Sequence, residues 1–417
     1  MKSTIKLPGL RAPIVLDRKA VAAHVIGPTA PDTLALQKKA QRRQTREIQK
    51  AARRRARRGR RAKKLDVGGF LTDLAGQLST QTEGFAIEIS YPHHGSGRRH
   101  ESRVNGYAID PVDTGSKVWS KKVVQHVASV SKLVTAMAMT RRLHDLEISA
   151  NTAIGTYLPP FWTQGPNIAA VTFAQLMTHT SGIRSGATDY ASMAAVVNAG
   201  VSAANVGVYQ YENMNFSLCR ILLATLLMTT LKRRHGRKTY RFVDLWPTTD
   251  AARDLLSIHS YHAYVRKRVL ISRETDRFIH VAGDALAYAF PKPPDNGWDS
   301  GDLSTTVGAA GWHFSTTDVL RFMGDFRRAG TIVKPRLAQK MLDDSFGIDM
   351  VTDPGGGTIY GKNGYWYDGI RVEQATVFFL PHQTEFVILV NSSLMKNPTN
   401  DTWLMGFVES IYTSHLY

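Results

Sequence analysis

A serine and a lysine three residues apart, at the head of an apolar run, can be a nucleophile beside its base. Ser129 and Lys132 stand that way in HVASVSKLVTAMAM, residues 126–139. Residues i and i+3 share one face of a helix, so the Lys132 amine comes within reach of the Ser129 hydroxyl. With Ser129 in the first turn, the helix N-terminus adds unpaired N–H groups and a positive dipole end. Both ease formation of an alkoxide and can later bind an oxyanion. Spacing is not enough by itself, because Ser3 with Lys6 and Ser393 with Lys396 repeat it. A lysine at its ordinary pKa of about 10.4 is also a poor base at neutral pH. Lowering it by about three units costs on the order of 4 kcal/mol, which burial or a second cation must supply.

Two further stretches could complete such a site. Tyr211-Glu212-Asn213 is the only Y-x-N in the chain, and Lys362-Asn363-Gly364 is its only K-x-G. Lys362 is the candidate second cation. It would favour deprotonated Tyr211 and neutral Lys132 together, giving the serine a base through either group. Gly364 would let a strand edge approach a bound acyl group closely. Other reactive types read as structural. His179 is a hydrogen-bonding loop residue, and His93 and His94 sit in a hairpin loop. His259 and His262 are spaced like metal ligands but have no Cys or acidic partner, so they read as surface residues and no metal or other cofactor is expected. Asp295, Asp299 and Asp302 belong to a loop. Trp366 and Tyr367 either line an acyl pocket or are strand-edge core.

These groups need elements to hold them. FAIEISY (85–91) alternates like a strand, and His93 to Arg99 reads as a hairpin loop. Leu133 to Leu146 has the pattern of an amphipathic helix, and Thr317 to Phe326 that of another, with Asp318 in its favourable first turn. Ala375–Leu380 and Glu385–Val390 are apolar strands joined by a turn over 381–384, and Thr402–Tyr412 is a last helix. Strands near both ends with helices between them predict an α/β layering in which N- and C-terminal strands share one sheet.

At this point the chain resembles the serine β-lactamases of class C and the related penicillin-binding DD-peptidases, D-aminopeptidases and family VIII esterases. The resemblance runs in order over roughly 84–400. Gly106-Tyr107-Ala108, VASVSK (127–132), LHDLEISANTAIGTYLP (143–159), LMTHTSGI (176–183), YENMNF (211–216), GAAGWHFSTTDVLRF (308–322) and KNG (362–364) carry it. It implies a β-lactamase/transpeptidase-like fold: a central antiparallel sheet flanked by helices, plus a mainly helical lobe. It also implies roles. Ser129 would be acylated, Lys132 and Tyr211 would shuttle its proton, and Asn213 would hold the substrate amide. Lys362 would tune the field and attract a substrate carboxylate, beside Asn363 and Gly364. Backbone N–H groups of Ser129 and Tyr365 would form the oxyanion hole. One departure argues against β-lactam turnover: Asn363 stands where the lactamases place Thr or Ser. No S-D-N triplet appears, which disfavours the class A arrangement, and 231–260 reads as an insertion.

The net charge of +19 is concentrated. Residues 38–64 hold fifteen Lys/Arg against Glu47, which leaves +5 for the remainder. Residues 1–66 therefore read as a basic arm, extended or partly helical, joined to a hydrolase domain over 67–417. With no aromatic among its basic residues, the arm would bind a polyanion, nucleic acid or an acidic surface, without sequence preference. No apolar run reaches the ~18 residues of a membrane span, and Pro8 and Pro13 interrupt any secretory h-region. Cys219 is the only cysteine. These features favour a cytoplasmic protein or part of a larger assembly. Two functions follow: a serine hydrolase acting on an ester or an amide of peptide or D-amino-acid type, or a hydrolase-fold scaffold anchored by its arm.

Overall fold

Side chains that alternate between two faces can bury both faces of a sheet when helices cover each side. The computed structural model describes residues 2–5, 14–17, 63–93, 95, 97–234, 246–271, 275–291, 296–394 and 404–417. Two compact units are present, Met1–Ala40 and Gln41–Tyr417. In the first, β1 (Lys2–Ile5) and β2 (Ile14–Asp17) pair antiparallel, with Lys2 opposite Asp17. Most of the basic run expected to bind polyanions lies outside the described residues.

The second unit is built on seven strands: β3 (Gly84–Pro92), β4 (Arg98–Ile109), β5 (Lys117–Val118), β8 (Met350–Thr352), β9 (Ile359–Tyr367), β10 (Val372–Leu380) and β11 (Thr384–Val390). Their order is β5-β4-β3-β11-β10-β9-β8, and every pairing is antiparallel. β3 pairs with β11, Phe85 opposite Val390, so the two ends of the domain meet at the sheet's centre as expected. A separate two-stranded ribbon joins β6 (Gln125–His126) to β7 (His313–Phe314).

One face of the sheet presents Phe85, Ile87 and Ile89 of β3, Phe378 and Leu380 of β10, and Phe386, Ile388 and Val390 of β11. They pack with Phe70 and Leu74 of α1 (Val67–Leu78) and Val408 and Ile411 of α9 (Leu404–Ser414). Each such fully buried side chain contributes about 1.5–3 kcal/mol, so this core holds the central strands together. On the opposite face α7 (Thr316–Gly324) lies against β3 and β11. It opens with a capping box between Ser315 and Asp318, the acid anticipated for its first turn.

The helical lobe contains α2 (Ser131–Asp145), α3 (Phe173–Met177), α4 (Tyr190–Ala199), α5 (Asn213–Arg234) and α6 (Asp250–Arg268), whereas α8 (Pro335–Asp343) meets the Tyr360 hydroxyl of β9 through Gln339 and Asp343. α2 packs on α5 and α6. It is not amphipathic as expected: residues Ser131 to Thr140 are all buried, because neighbours enclose it on every side. Arg220 of α5, fully buried, reaches across to Asp254 of α6 at 2.5 Å. In the stretch read as an insertion, 235–245 lies outside the described residues, whereas Leu256 and Ile258 of α6 are buried in the lobe. No helix among the described residues is long and apolar enough to cross a membrane.

Candidate active site

Ser129 lies on a single 3-10 turn, Ala128–Val130, just ahead of α2 rather than within its first turn. Ala128 holds a left-handed φ of 46°, so this turn is strained for a residue with a side chain. β9 runs directly against it. A Cβ placed on Gly364 would lie 2.3 Å from the Val127 carbonyl oxygen, so only glycine allows the strand this close. The expected closeness of Gly364 is therefore to the Ser129 turn itself.

Four expected residues form one hydrogen-bonded cluster. Lys132 Nζ is 2.8 Å from Ser129 Oγ, and it donates to Asn213 Oδ1 and to the Ala309 carbonyl at 2.9 Å each. The Tyr211 hydroxyl donates to Ser129 Oγ at 2.6 Å. Lys362 also approaches the Tyr211 ring. Lys132 and Lys362 put their amines 4.9 and 5.3 Å from the ring centroid. Both lysines are buried, 0% and 1% exposed.

Asp349 decides the electrostatics, and nothing in SFGIDM marked it. Lys362 donates to both of its carboxylate oxygens at 2.7 Å, and the Asn363 N–H donates to Oδ2 at 3.1 Å. Burial holds Lys132 well below the usual lysine range, the Lys362 cation pushes it further down, and Asp349 opposes both. Burial also lowers Lys362, against the pull of Asp349. Tyr211 moves the other way. Burial raises its pKa far above the ordinary phenol value, and the Asp349 carboxylate adds to the rise. The expectation that Lys362 would favour a deprotonated Tyr211 is therefore not met. Asp349 matches the Lys362 charge, and desolvation of the hydroxyl disfavours phenolate.

His179 is a hydrogen-bonding loop residue, as read, but it also bears on the site. Its ring stacks on Tyr211 with centroids 4.4 Å apart, and its Nδ1 accepts the Glu212 N–H at 3.2 Å. Burial first, then Lys132 and Lys362, keep it neutral. The clue in the sequence was the THTSG loop; the stacking had no signal.

Asn363 does not join the cluster. It pairs with Thr376 across β9 and β10, on the alternate set of side chains from Lys362, and its Oδ1 accepts the Thr376 hydroxyl at 2.9 Å. Ile359 and Phe378 of that same set belong to the α1/α9 core. Tyr365 lies two residues on, its ring 5.5 Å from that of Tyr367. Trp366 meets the His126 ring edge-on at 5.5 Å. Of the rival S-x-x-K pairs, Ser393 is occupied with the Phe290 backbone, and Lys6 and Lys396 lie outside the described residues. His262 is part-buried rather than on the surface: it bonds the Asp276 carbonyl at 2.6 Å and packs on Phe278 and Trp312.

The Beta-lactamase family model matches residues 95–404. No curated protein sequence matches the chain. Three solved structures illustrate the likeness in fold. A beta-lactamase/D-alanine carboxypeptidase from Pseudomonas syringae is 14% identical with TM-score 0.59, covering 84% of this chain and 98% of that one. The D-amino acid amidase from Ochrobactrum anthropi SV3 is 14% identical with TM-score 0.57, covering 83% and 96%. The octameric penicillin-binding protein homologue from Pyrococcus abyssi is 15% identical with TM-score 0.56, covering 79% and 74%.

Proposed function

The chain belongs to the beta-lactamase family, and from that premise we propose a serine hydrolase that forms an acyl-enzyme at Ser129. Its substrate is an ester or an amide of peptide or D-amino-acid type. The observation that carries the reading is the environment of Lys132. Asn213 Oδ1 and the Ala309 carbonyl can only accept, so they engage two amine hydrogens. A neutral amine has no third hydrogen, and its lone pair then faces Ser129 Oγ at 2.8 Å. The lowered pKa of Lys132 favours that neutral form.

The steps follow from this arrangement. Lys132 takes the Ser129 proton while Oγ attacks the substrate carbonyl carbon. The oxyanion is received by the N–H groups of Ser129 and Tyr365. The Tyr365 N–H leaves β9 along the edge on which Asn363 N–H meets Asp349, since the direction repeats every second residue. Tyr211, kept a neutral phenol, gives its proton to the leaving nitrogen or oxygen and is reprotonated at the expense of Lys132. Water then repeats the sequence on the acyl ester and releases the acid. Lys362 tunes this field, its amine held by both carboxylate oxygens of Asp349. The names of two similar structures, an amidase of D-amino acids and a D-alanine carboxypeptidase, favour amides beside a D-centre. Asn363, which brings no hydroxyl and is held by Thr376, argues against β-lactam turnover.

The test is intact-mass analysis after exposure to a fluorophosphonate and, separately, a penicillin, on the parent and on Ser129→Ala. One adduct that disappears in Ser129→Ala is expected with the fluorophosphonate. Absence of any adduct, where a reference serine hydrolase reacts fully, sinks the proposal and favours the arm-anchored scaffold instead.

A further inference from the structure

Behind the nucleophile turn lies a buried polar group that the steps above do not use. His126 on β6 and Glu373 on β10 have side chains 0% and 1% exposed, with His126 Nδ1 2.8 Å from Glu373 Oε2. At the other ring nitrogen, the Gly311 N–H donates to His126 Nε2 at 3.2 Å. A backbone amide only donates, so Nε2 is the unprotonated nitrogen. The ring proton then resides on Nδ1 and is donated to Glu373, which sets the tautomer. His313, 5.3 Å away between ring centroids, and Trp366 enclose the imidazole.

Both contacts lead towards reacting groups. Three residues beyond His126 is Ser129, reached through Val127 and the strained Ala128. Two residues before Gly311 is Ala309, whose carbonyl takes a Lys132 hydrogen. Gly308, next to it, accepts from Thr135 one turn further along α2 at 2.7 Å. The Val127 N–H donates to the Trp312 carbonyl at 2.9 Å. A single imidazole therefore spans the segment bearing the nucleophile and the segment that orients its base. Resting on the acyl-enzyme reading, we infer that His126 is a positioning residue. With its tautomer fixed by Glu373, it holds the 309–311 turn against the nucleophile turn, so that the Lys132 lone pair stays directed at Ser129.

Two measurements on the full-length protein test this. In protein labelled with nitrogen-15 histidine, the His126 resonances are assigned by their loss in His126→Gln. Nδ1 is expected to carry the proton and Nε2 to lack it at neutral pH. The opposite tautomer, or an imidazolium, overturns the inference without need of any variant's activity. The second measurement is the rate constant for fluorophosphonate labelling of Ser129 in variants whose folding is checked by thermal unfolding. His126→Gln can place an acceptor near Nε2 and is expected to stay within about threefold of the parent, whereas His126→Asn ends short of Gly311 and is expected to fall by about tenfold or more. Equal rates for parent, Gln and Asn variants overturn the inference. A parent that never labels at Ser129 instead removes the acyl-enzyme reading, and the tautomer measurement still decides whether the clamp exists.

Discussion

Replacing Lys362 by methionine isolates the field that lowers the Lys132 pKa, on which its proposed role as base depends. The two amines lie 4.9 and 5.3 Å from the centroid of the Tyr211 ring, so they are no more than about 10 Å apart. At an effective dielectric near 20, a unit charge at that distance is worth about 1.7 kcal/mol, or about 1.2 pH units. Lys362 lowers the Lys132 pKa, so removing it raises that pKa. The abandoned Asp349 carboxylate pulls in the same direction. A base acts only when deprotonated. The acid limb of the rate profile should therefore move to higher pH by about one unit or more, and at a fixed pH below the limb the rate should fall about tenfold. The assay is the second-order rate constant for labelling Ser129 with an uncharged fluorophosphonate as a function of pH. That probe avoids any role of Lys362 in gripping an anionic substrate. In Lys362→Met/Asp349→Asn both charges are gone, and the limb should return part of the way. A limb that stays in place in the single variant, or moves to lower pH, refutes the electrostatic argument. So does a double variant displaced as far as the single one.

Other outcomes are equally definite. Tyr211→Phe keeps the stacking on His179 but removes the hydroxyl at Ser129, so ester or amide turnover should drop by about 10²–10⁴ while unfolding stability holds; turnover assays with thermal melts check it. Asp254→Ala leaves the buried Arg220 guanidinium without this carboxylate, held by the Thr188 and Thr305 carbonyls, which should cost about 3 kcal/mol in denaturant unfolding. His126 and His313 are both pushed down to about 3 by burial. Below pH 6.5 the unfolded chain protonates them and the folded chain does not. Stability should thus be full above pH 6.5 and decline as pH falls towards 3, by roughly 4–5 kcal/mol per histidine at most. Unfolding free energies measured across that window test the sign.

The fold was legible because FAIEISY alternates, two apolar runs follow near the far end, and an ordered set of motifs surrounds the helix after Ser129. The meeting of β3 with β11 followed from apolar runs near both ends. Tyr211, Asn213 and Lys362 stood out through combinations found once in the chain, whereas Ser129 and Lys132, whose spacing recurs twice, were singled out by the ordered motifs around them. What escaped notice has no such mark. Asp349 is one carboxylate among ordinary residues, thirteen positions before its partner Lys362, and only the pairing of β8 with β9 brings it there. Ala309 acts through its carbonyl, which any residue possesses. The resemblance places Asn363 beside Lys362 in one motif, yet adjacent residues on a strand face opposite ways. The burial of α2 escaped because an apolar run does not reveal how many neighbours will surround it.

The joining of β3 to β11 also sets a schedule for the protein's synthesis. Phe85 waits roughly three hundred residues for its partner Val390 to leave the ribosome. Lys362, which depresses the Lys132 pKa, and Gly364, which abuts the nucleophile turn, emerge almost as late. A growing chain thus displays its serine and lysine long before the strands that empower them exist. The proposed activity should therefore arise only after β11 has emerged, and a chain stopped short of it should fail to label at Ser129 with a fluorophosphonate that labels the full chain.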